Sequence, residues 1–268
     1  MLARILSAIV LVPAVLAGVY FARPWPLLIA LGIIGTLCLY EYFQMVRAMG
    51  IPTQPVFGFS AYWALLIGLQ GRWIPVPALL VALLIAAFLA AAWREDPLRD
   101  RALGLMAGIV GLIYPALFLF AAVPLRFDFG DKTGLHWFMV VLAVTWTGDT
   151  MALFTGRRFG RTAFAPMISP KKTNEGAIGG LIGGLIAAAF MQRFLFADLP
   201  FGHVLVFSLL VGAFGQLGDL AESTLKRAAG VKDSSHLIPG HGGVLDRVDS
   251  LLFAFPVAYI YLLILHRS

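Results

Sequence analysis

The sequence predicts an all-α, polytopic integral membrane protein with about nine transmembrane helices. Three observations carry this. The 268 residues are 60% hydrophobic and only 13% charged, against roughly 25% charged in a soluble domain. Mean hydropathy is +0.88. Apolar stretches separated by charged breaks recur along the whole chain, several of them reaching the ~20 residues that a bilayer needs.

The predicted spans run near 5–22, 25–40, 57–71, 74–93, 102–125, 134–154, 176–196, 199–220 and 248–265. The first follows Arg4 and has the look of a signal peptide, but the many spans behind it make it an uncleaved helix. Trp25, Trp73, Trp93 and Trp137 are expected to mark the membrane interfaces as an aromatic belt. The stretches 94–101 and 126–132 read as solvated loops. Nine spans put 14 Lys and Arg on the side of the N-terminus and six on the other, which makes the N-terminus cytoplasmic by the positive-inside rule.

Composition also excludes. The single cysteine, Cys38, permits neither an intramolecular disulfide nor a cysteine-built zinc site. The net charge of +6 is explained by basic loops against anionic membrane lipids, with no nucleic acid partner. No soluble domain or low-complexity linker interrupts the chain. Residues 1–140 read as N-terminal and middle helices, a scaffold and a wall for a lipid-facing cavity. Residues 141–268 carry the polar motifs and read as the catalytic membrane region.

The richest motif is the run 223–249, with four basic residues, three aspartates, two histidines and a Gly-Gly pair. Carboxylates suit a hard cation, Lys and Arg suit phosphate, and glycines allow close backbone approach. If the preceding helix continues past its apolar part, Asp219, Ser223 and Lys226 share one face at i, i+4 and i+7. Asp246, Asp249 and Ser250 sit at i, i+3 and i+4 of the next helix start. Two or more of Asp219, Asp246 and Asp249 are candidate Mg²⁺ ligands. In the Pro-Gly-His-Gly-Gly turn, His241 beside Gly242 and Gly243 is the candidate contact to phosphate or metal-bound water.

A second motif, Ser169-Pro-Lys171-Lys172-Thr173-Asn174-Glu175-Gly176, stands directly before an apolar helix. Thr173 or Asn174 can cap that helix, and its free N–H groups with the two lysines make an expected anion site. Gly176, Gly180 and Gly184, with Gly179 and Gly183 in the adjacent row, form a small-residue face for close helix packing. A third feature is Asp149, a carboxylate inside a predicted span and a candidate binding residue by that position. Arg157, Arg158 and Arg161 are its expected ion partners. His136 and His203 read as interfacial.

Ser223-x-Leu-Lys226-Arg227, Lys232-Asp233 and His241-Gly242-Gly243-Val-x-Asp246-Arg247-Val-Asp249 together resemble the signature of the phosphatidate cytidylyltransferases, also called CDP-diacylglycerol synthases. Ser169 to Gly176 is similar to a second hallmark of that family. Asp149-x-x-Ala152 resembles a third, with Leu153 where Tyr is expected and Arg161 where Lys is usual. The motifs cover about 145–250. The resemblance implies an all-helical homodimer in the cytoplasmic (inner) membrane, with its site facing the cytoplasm. It implies CTP and phosphatidic acid as substrates, CDP-diacylglycerol and pyrophosphate as products, and Mg²⁺, alone or with a second cation.

On this reading Asp219 and Asp246 bind Mg²⁺, with Asp249 as a further ligand or behind it. Lys226, Arg227, Lys232 and Arg247 hold phosphates, Lys171, Lys172 and Thr173 hold another, and Ser223 and His241 orient them. Asp149, Ser169, Glu175, Gly242 and Gly243 complete the expected substrate contacts. Two rivals are a CTP-dependent lipid kinase, which transfers only the γ-phosphate, and a transporter, which has no need of the Pro-Gly-His-Gly-Gly loop.

Overall fold

The computed structural model describes residues 13–71, 75–238, 240 and 242–266. Arg4, Arg72, Trp73, His241 and Arg267 therefore lie outside the described residues. Within them nine helices follow one another. Helix α1 is described over 13–20, followed by α2 (Pro24–Ala48), α3 (Pro55–Gly71), α4 (Val76–Ala92), α5 (Leu98–Phe127), α6 (Asp131–Phe159), α7 (Asn174–Phe194), α8 (Phe201–Ala228) and α9 (Leu245–Leu265). The order and number match the predicted spans. Between α6 and α7 lies an antiparallel hairpin of β1 (Ala163–Ala165) and β2 (Ser169–Thr173), which the apolar pattern gives no hint of.

Six helices, α2 and α5 to α9, are long and apolar enough to cross a membrane. Helices α3 and α4 have 17 residues each, about 25 Å, just short of the ~30 Å hydrocarbon core. Several helices outrun their apolar cores because their ends suit the helix dipole. Helix α6 opens on Asp131 and closes on Arg157 and Arg158, and α8 closes on Lys226 and Arg227. Helix α8 thus continues well beyond residue 220, as the shared face of Asp219, Ser223 and Lys226 requires.

The chain divides into two compact units, Met1–Phe120 with Leu225–Arg247, and Ala121–Thr224 with Val248–Ser268. In the first, α2 packs on α3 where Gly32 meets Trp63 and Leu66 and Gly58 meets Phe43. Leu39, Tyr62, Leu65 and Leu66 are buried there. The Tyr42 hydroxyl donates to the Ala107 carbonyl at 2.9 Å, tying α2 to α5.

In the second unit, α7 lies directly on α6. All five glycines of its small-residue face are buried. A Cβ at Gly180 would stand 3.0 Å from both the Gly148 carbonyl and Gln216 Nε2. On the opposite face Ile178, Ile182, Ile186 and Phe190 are exposed at four-residue intervals. The helix is thus smooth toward protein and bulky toward lipid, the arrangement expected where backbone approach rather than water exclusion drives packing.

Two expectations are corrected. Trp137 does not join the interfacial belt: it is 1% exposed, its ring 4.5 Å from that of Phe207. It lies on a face of α6 that packs inward, whereas Trp25 and Trp93 are exposed. Arg126 is not a solvated loop residue either. It is buried near the end of α5 and pairs with Asp131 at 2.7 Å, which closes the short α5–α6 turn.

Gly180→Leu should therefore wedge α7 from α6. Overpacking of a tight contact costs about 1–3 kcal/mol, which at about 2–4 °C per kcal/mol for a chain of this size predicts a thermal midpoint in detergent roughly 2–12 °C lower. Ile182→Leu, on the lipid face of the same helix, should leave the midpoint unchanged.

Candidate active site

Within the second unit, three carboxylates converge. Asp219 and Glu222, one turn apart on α8, and Asp249 on α9 each offer an oxygen, all within 4.8 Å of one another. Gly218 makes this possible: a Cβ there would lie 2.6 Å from the Asp249 carbonyl, so only glycine lets α9 approach α8 at this level. Glu222 is fully buried, and Asp219 and Asp249 are half-buried.

Lys172 from β2 reaches Asp219 Oδ2 at 2.5 Å, and Ser223 donates to Oδ1 at 3.3 Å. Asp149 on α6 interacts electrostatically with Asp219 and Lys172. It also lines a small pocket with Thr145, Gln216 and Ser250. Lys172, from the hairpin, is the cation whose charge bears on Asp149. Asp149, Lys172, Asp219, Ser223 and Asp249, drawn from separate motifs, come together in this unit.

The hairpin positions Lys172. Ala163 pairs with Thr173 and Ala165 with Ser169. Its base is closed by Glu175, whose carboxylate accepts from the Arg161 and Thr162 amides at 3.0 and 3.3 Å and from Thr162 Oγ1 at 3.0 Å. Thr173 is the cap of α7, its hydroxyl accepting from Gly176 N at 3.1 Å. Asn174 N donates to the Thr162 carbonyl at 3.0 Å. Two N–H groups expected to face an anion are thus already engaged inside the hairpin and cap. Lys171 is exposed and Ser169 half-buried.

In the first unit, Asp246 gathers the polar loop. It accepts from Lys226 Nζ at 2.6 Å, from Ser234 N and Oγ at 2.9 Å each, and from Gly243 N at 2.8 Å. Gly240 and Gly242 have positive φ of 75° and 80°, and Ile238 N bonds the Gly242 carbonyl at 2.9 Å. Arg227 donates to the Val231 carbonyl at 3.1 Å. Lys232 and Arg247 are exposed.

Two residues escaped the sequence reading. Glu222, which the sequence reading did not name, stands with Asp219 and Asp249 in the acidic trio. Its signal was the Asp219-x-x-Glu222 spacing, which puts both on one helix face. Glu41 on α2 is the other. It is 0% exposed and accepts from Ser235 Oγ, Val244 N and Leu245 N at 2.6, 2.8 and 2.7 Å. A carboxylate inside an apolar helix was its signal, hidden because the predicted span ended at residue 40.

The trio has only oxygen donors, at the spacing of a single coordination shell, with no sulfur or imidazole. That fits a hard divalent cation such as Mg²⁺. A helical membrane protein that sets such a trio beside a lysine-bearing hairpin has the parts of a transferase acting on phosphates. Comparison with known proteins narrows the class. The model of the cytidylyltransferase family matches residues 2–265. The phosphatidate cytidylyltransferase of Haemophilus influenzae is 34% identical over 98% of this chain and 99% of its own length. That of Bacillus subtilis is 31% identical over 97% and 96%, and that of Thermotoga maritima 44% identical over 58% of each chain. The chain belongs to the cytidylyltransferase family and is a nucleotidyltransferase.

Thr173→Ala should remove the α7 cap and lower stability by about 1 kcal/mol, whereas Thr173→Ser should keep most of it. Thermal unfolding of the two purified variants in the same detergent measures the difference.

Proposed function

We propose that this chain is a CTP:phosphatidate cytidylyltransferase. It transfers the cytidylyl group of CTP to phosphatidic acid, giving CDP-diacylglycerol and pyrophosphate. It acts as a homodimer in the cytoplasmic (inner) membrane, its site facing the cytoplasm. The observation that carries this reading is the meeting of Asp219, Glu222 and Asp249 with Lys172, in a chain whose full-length relatives bear that name.

An oxygen of the lipid phosphate attacks the α-phosphorus of CTP in line. A new P–O bond forms as the bond to the β-phosphate oxygen breaks and pyrophosphate departs. The attacking oxygen is already anionic near neutral pH, so no general base is needed. The difficulty is bringing two anions together, and catalysis is mostly positioning and charge compensation. Asp219, Glu222 and Asp249 would hold Mg²⁺, which when bound neutralises phosphate charge. Lys172 neutralises Asp219 in the absence of substrate and is free to turn to a phosphate. Lys171 stands exposed beside it for the same purpose. Lys226, Arg227, Lys232 and Arg247 bind phosphates of CTP or lipid. Asp246 orients Lys226 and the amides of Ser234 and Gly243, and Ser223 orients Asp219. Asp149 contributes a further carboxylate to a substrate contact from α6. Residues 141–268 carry this chemistry, and 1–140 provide the membrane scaffold.

Purified protein with CTP, phosphatidic acid and Mg²⁺ should form CDP-diacylglycerol. With CTP labelled in the base, label should enter the lipid. Label entering only from the γ-phosphate would mean a kinase, and no turnover would sink the reading. Asp219→Asn and Glu222→Gln should raise the Mg²⁺ concentration for half-maximal rate by more than the roughly 10–100-fold that even an outer-shell partner commands. Asp246→Asn should nearly abolish turnover with that concentration unchanged. A comparable rise in Asp246→Asn would return it to the ligand set.

A further inference from the structure

The proposed reaction gives Glu41 no role, yet it is among the most completely engaged carboxylates in the protein. Oε1 accepts from Ser235 Oγ at 2.6 Å and Val244 N at 2.8 Å; Oε2 accepts from Leu245 N at 2.7 Å and faces Ser234 Oγ at 3.0 Å. The serines lie more than 190 residues away in sequence. Val244 and Leu245 open α9, where backbone N–H groups have no partner within their own helix. Helix α9 is therefore capped by a carboxylate from α2. Ser234 Oγ also lies 2.9 Å from Asp246 Oδ2. One hydroxyl, with one proton, bridges the two carboxylates. Gly243 has no room for a side chain here, since a Cβ would collide with Ser234 Oγ and the Glu41 carboxylate.

We propose that Glu41 is a positioning residue for the transfer: it caps α9 from outside and clamps residues 234–245, so that Asp246 and Lys226 are held in register. The inference rests on the proposed reaction for its kinetic consequence but not for the clamp itself. The chemistry selects a carboxylate. Three donors, Ser235 Oγ and the Val244 and Leu245 amides, converge on it and need acceptors, and the single Ser234 proton is shared with Asp246. Glutamine has the same size but only one acceptor oxygen, and its amide N–H₂ would oppose donors. Aspartate is shorter but keeps two acceptor oxygens.

The test compares wild type, Glu41→Gln and Glu41→Asp as full-length protein in nanodiscs, by two readouts. Hydrogen–deuterium exchange of peptides covering 234–245 reports the clamp. Steady-state kinetics with CTP and phosphatidic acid report its consequence. Glu41→Gln should exchange faster across 234–245 while other helices keep their protection. Its kcat should fall by about tenfold or more, the usual scale for losing an orienting partner, with KM for CTP changed far less. Glu41→Asp should be the milder variant on both readouts. If the residue merely filled space, the order would reverse, because glutamine preserves volume, and that order overturns the proposal. Unchanged exchange in Glu41→Gln overturns it as well. Should that variant fail to fold, Ser235→Ala removes a single donor and must itself speed exchange at 243–245; protection equal to wild type overturns the proposal. If wild type makes no CDP-diacylglycerol, the reaction is wrong and exchange alone decides the clamp.

Discussion

Negative charge at the edge of a membrane is the constraint around which this protein is built. A carboxylate next to hydrocarbon is costly unless donors or cations surround it. Three acidic groups have found such company. Asp219 has Lys172 and Ser223. Asp246 has Lys226, Ser234 and the Gly243 amide. Glu41 has two serines and two amides at the start of α9. The hairpin, the glycine-rich turn and the extension of α8 past its apolar part all serve these pairings.

Close approach is the other half of the design. Gly180 lets α7 meet α6, Gly218 lets α9 meet α8, and Gly243 lets a backbone amide reach Asp246 beside the Glu41 carboxylate. In each case a methyl group would occupy the place of a polar atom or a neighbouring backbone. Packing and chemistry are therefore not separable here. The same glycine that tightens a helix pair brings a carboxylate within reach of its neighbours. For the proposed transfer, which has to hold two anions in line, such rigidity would itself be catalytic.

Much of this was legible in the residues. The nine helices among the described residues follow from hydropathy, because a bilayer demands continuous apolar length. The family follows from the spacing of Lys226, Arg227, Asp246 and Asp249, and the glycine face of α7 from its four-residue repeat. Other features were opaque. The hairpin at 163–173 is too short and too polar to announce itself by period. Trp137 reads the same whether it faces lipid headgroups or Phe207. The helix start was read as a set of free N–H groups, yet Thr162 engages that of Asn174 across the hairpin, a contact no linear pattern encodes.

By itself, then, the sequence determined what local chemistry determines: which segments are long and apolar enough to form membrane helices, where helices can begin, and which acids and bases the polar motifs carry. Those follow from side-chain solvation and helical period, which act over a few residues. Only the tertiary structure decided which carboxylates lie within reach of one another, which lysine neutralises which aspartate, and that Glu41 on α2 caps α9. Partner choice among chemically equivalent groups depends on distances across helices, and residue spacing along one chain carries no information about those.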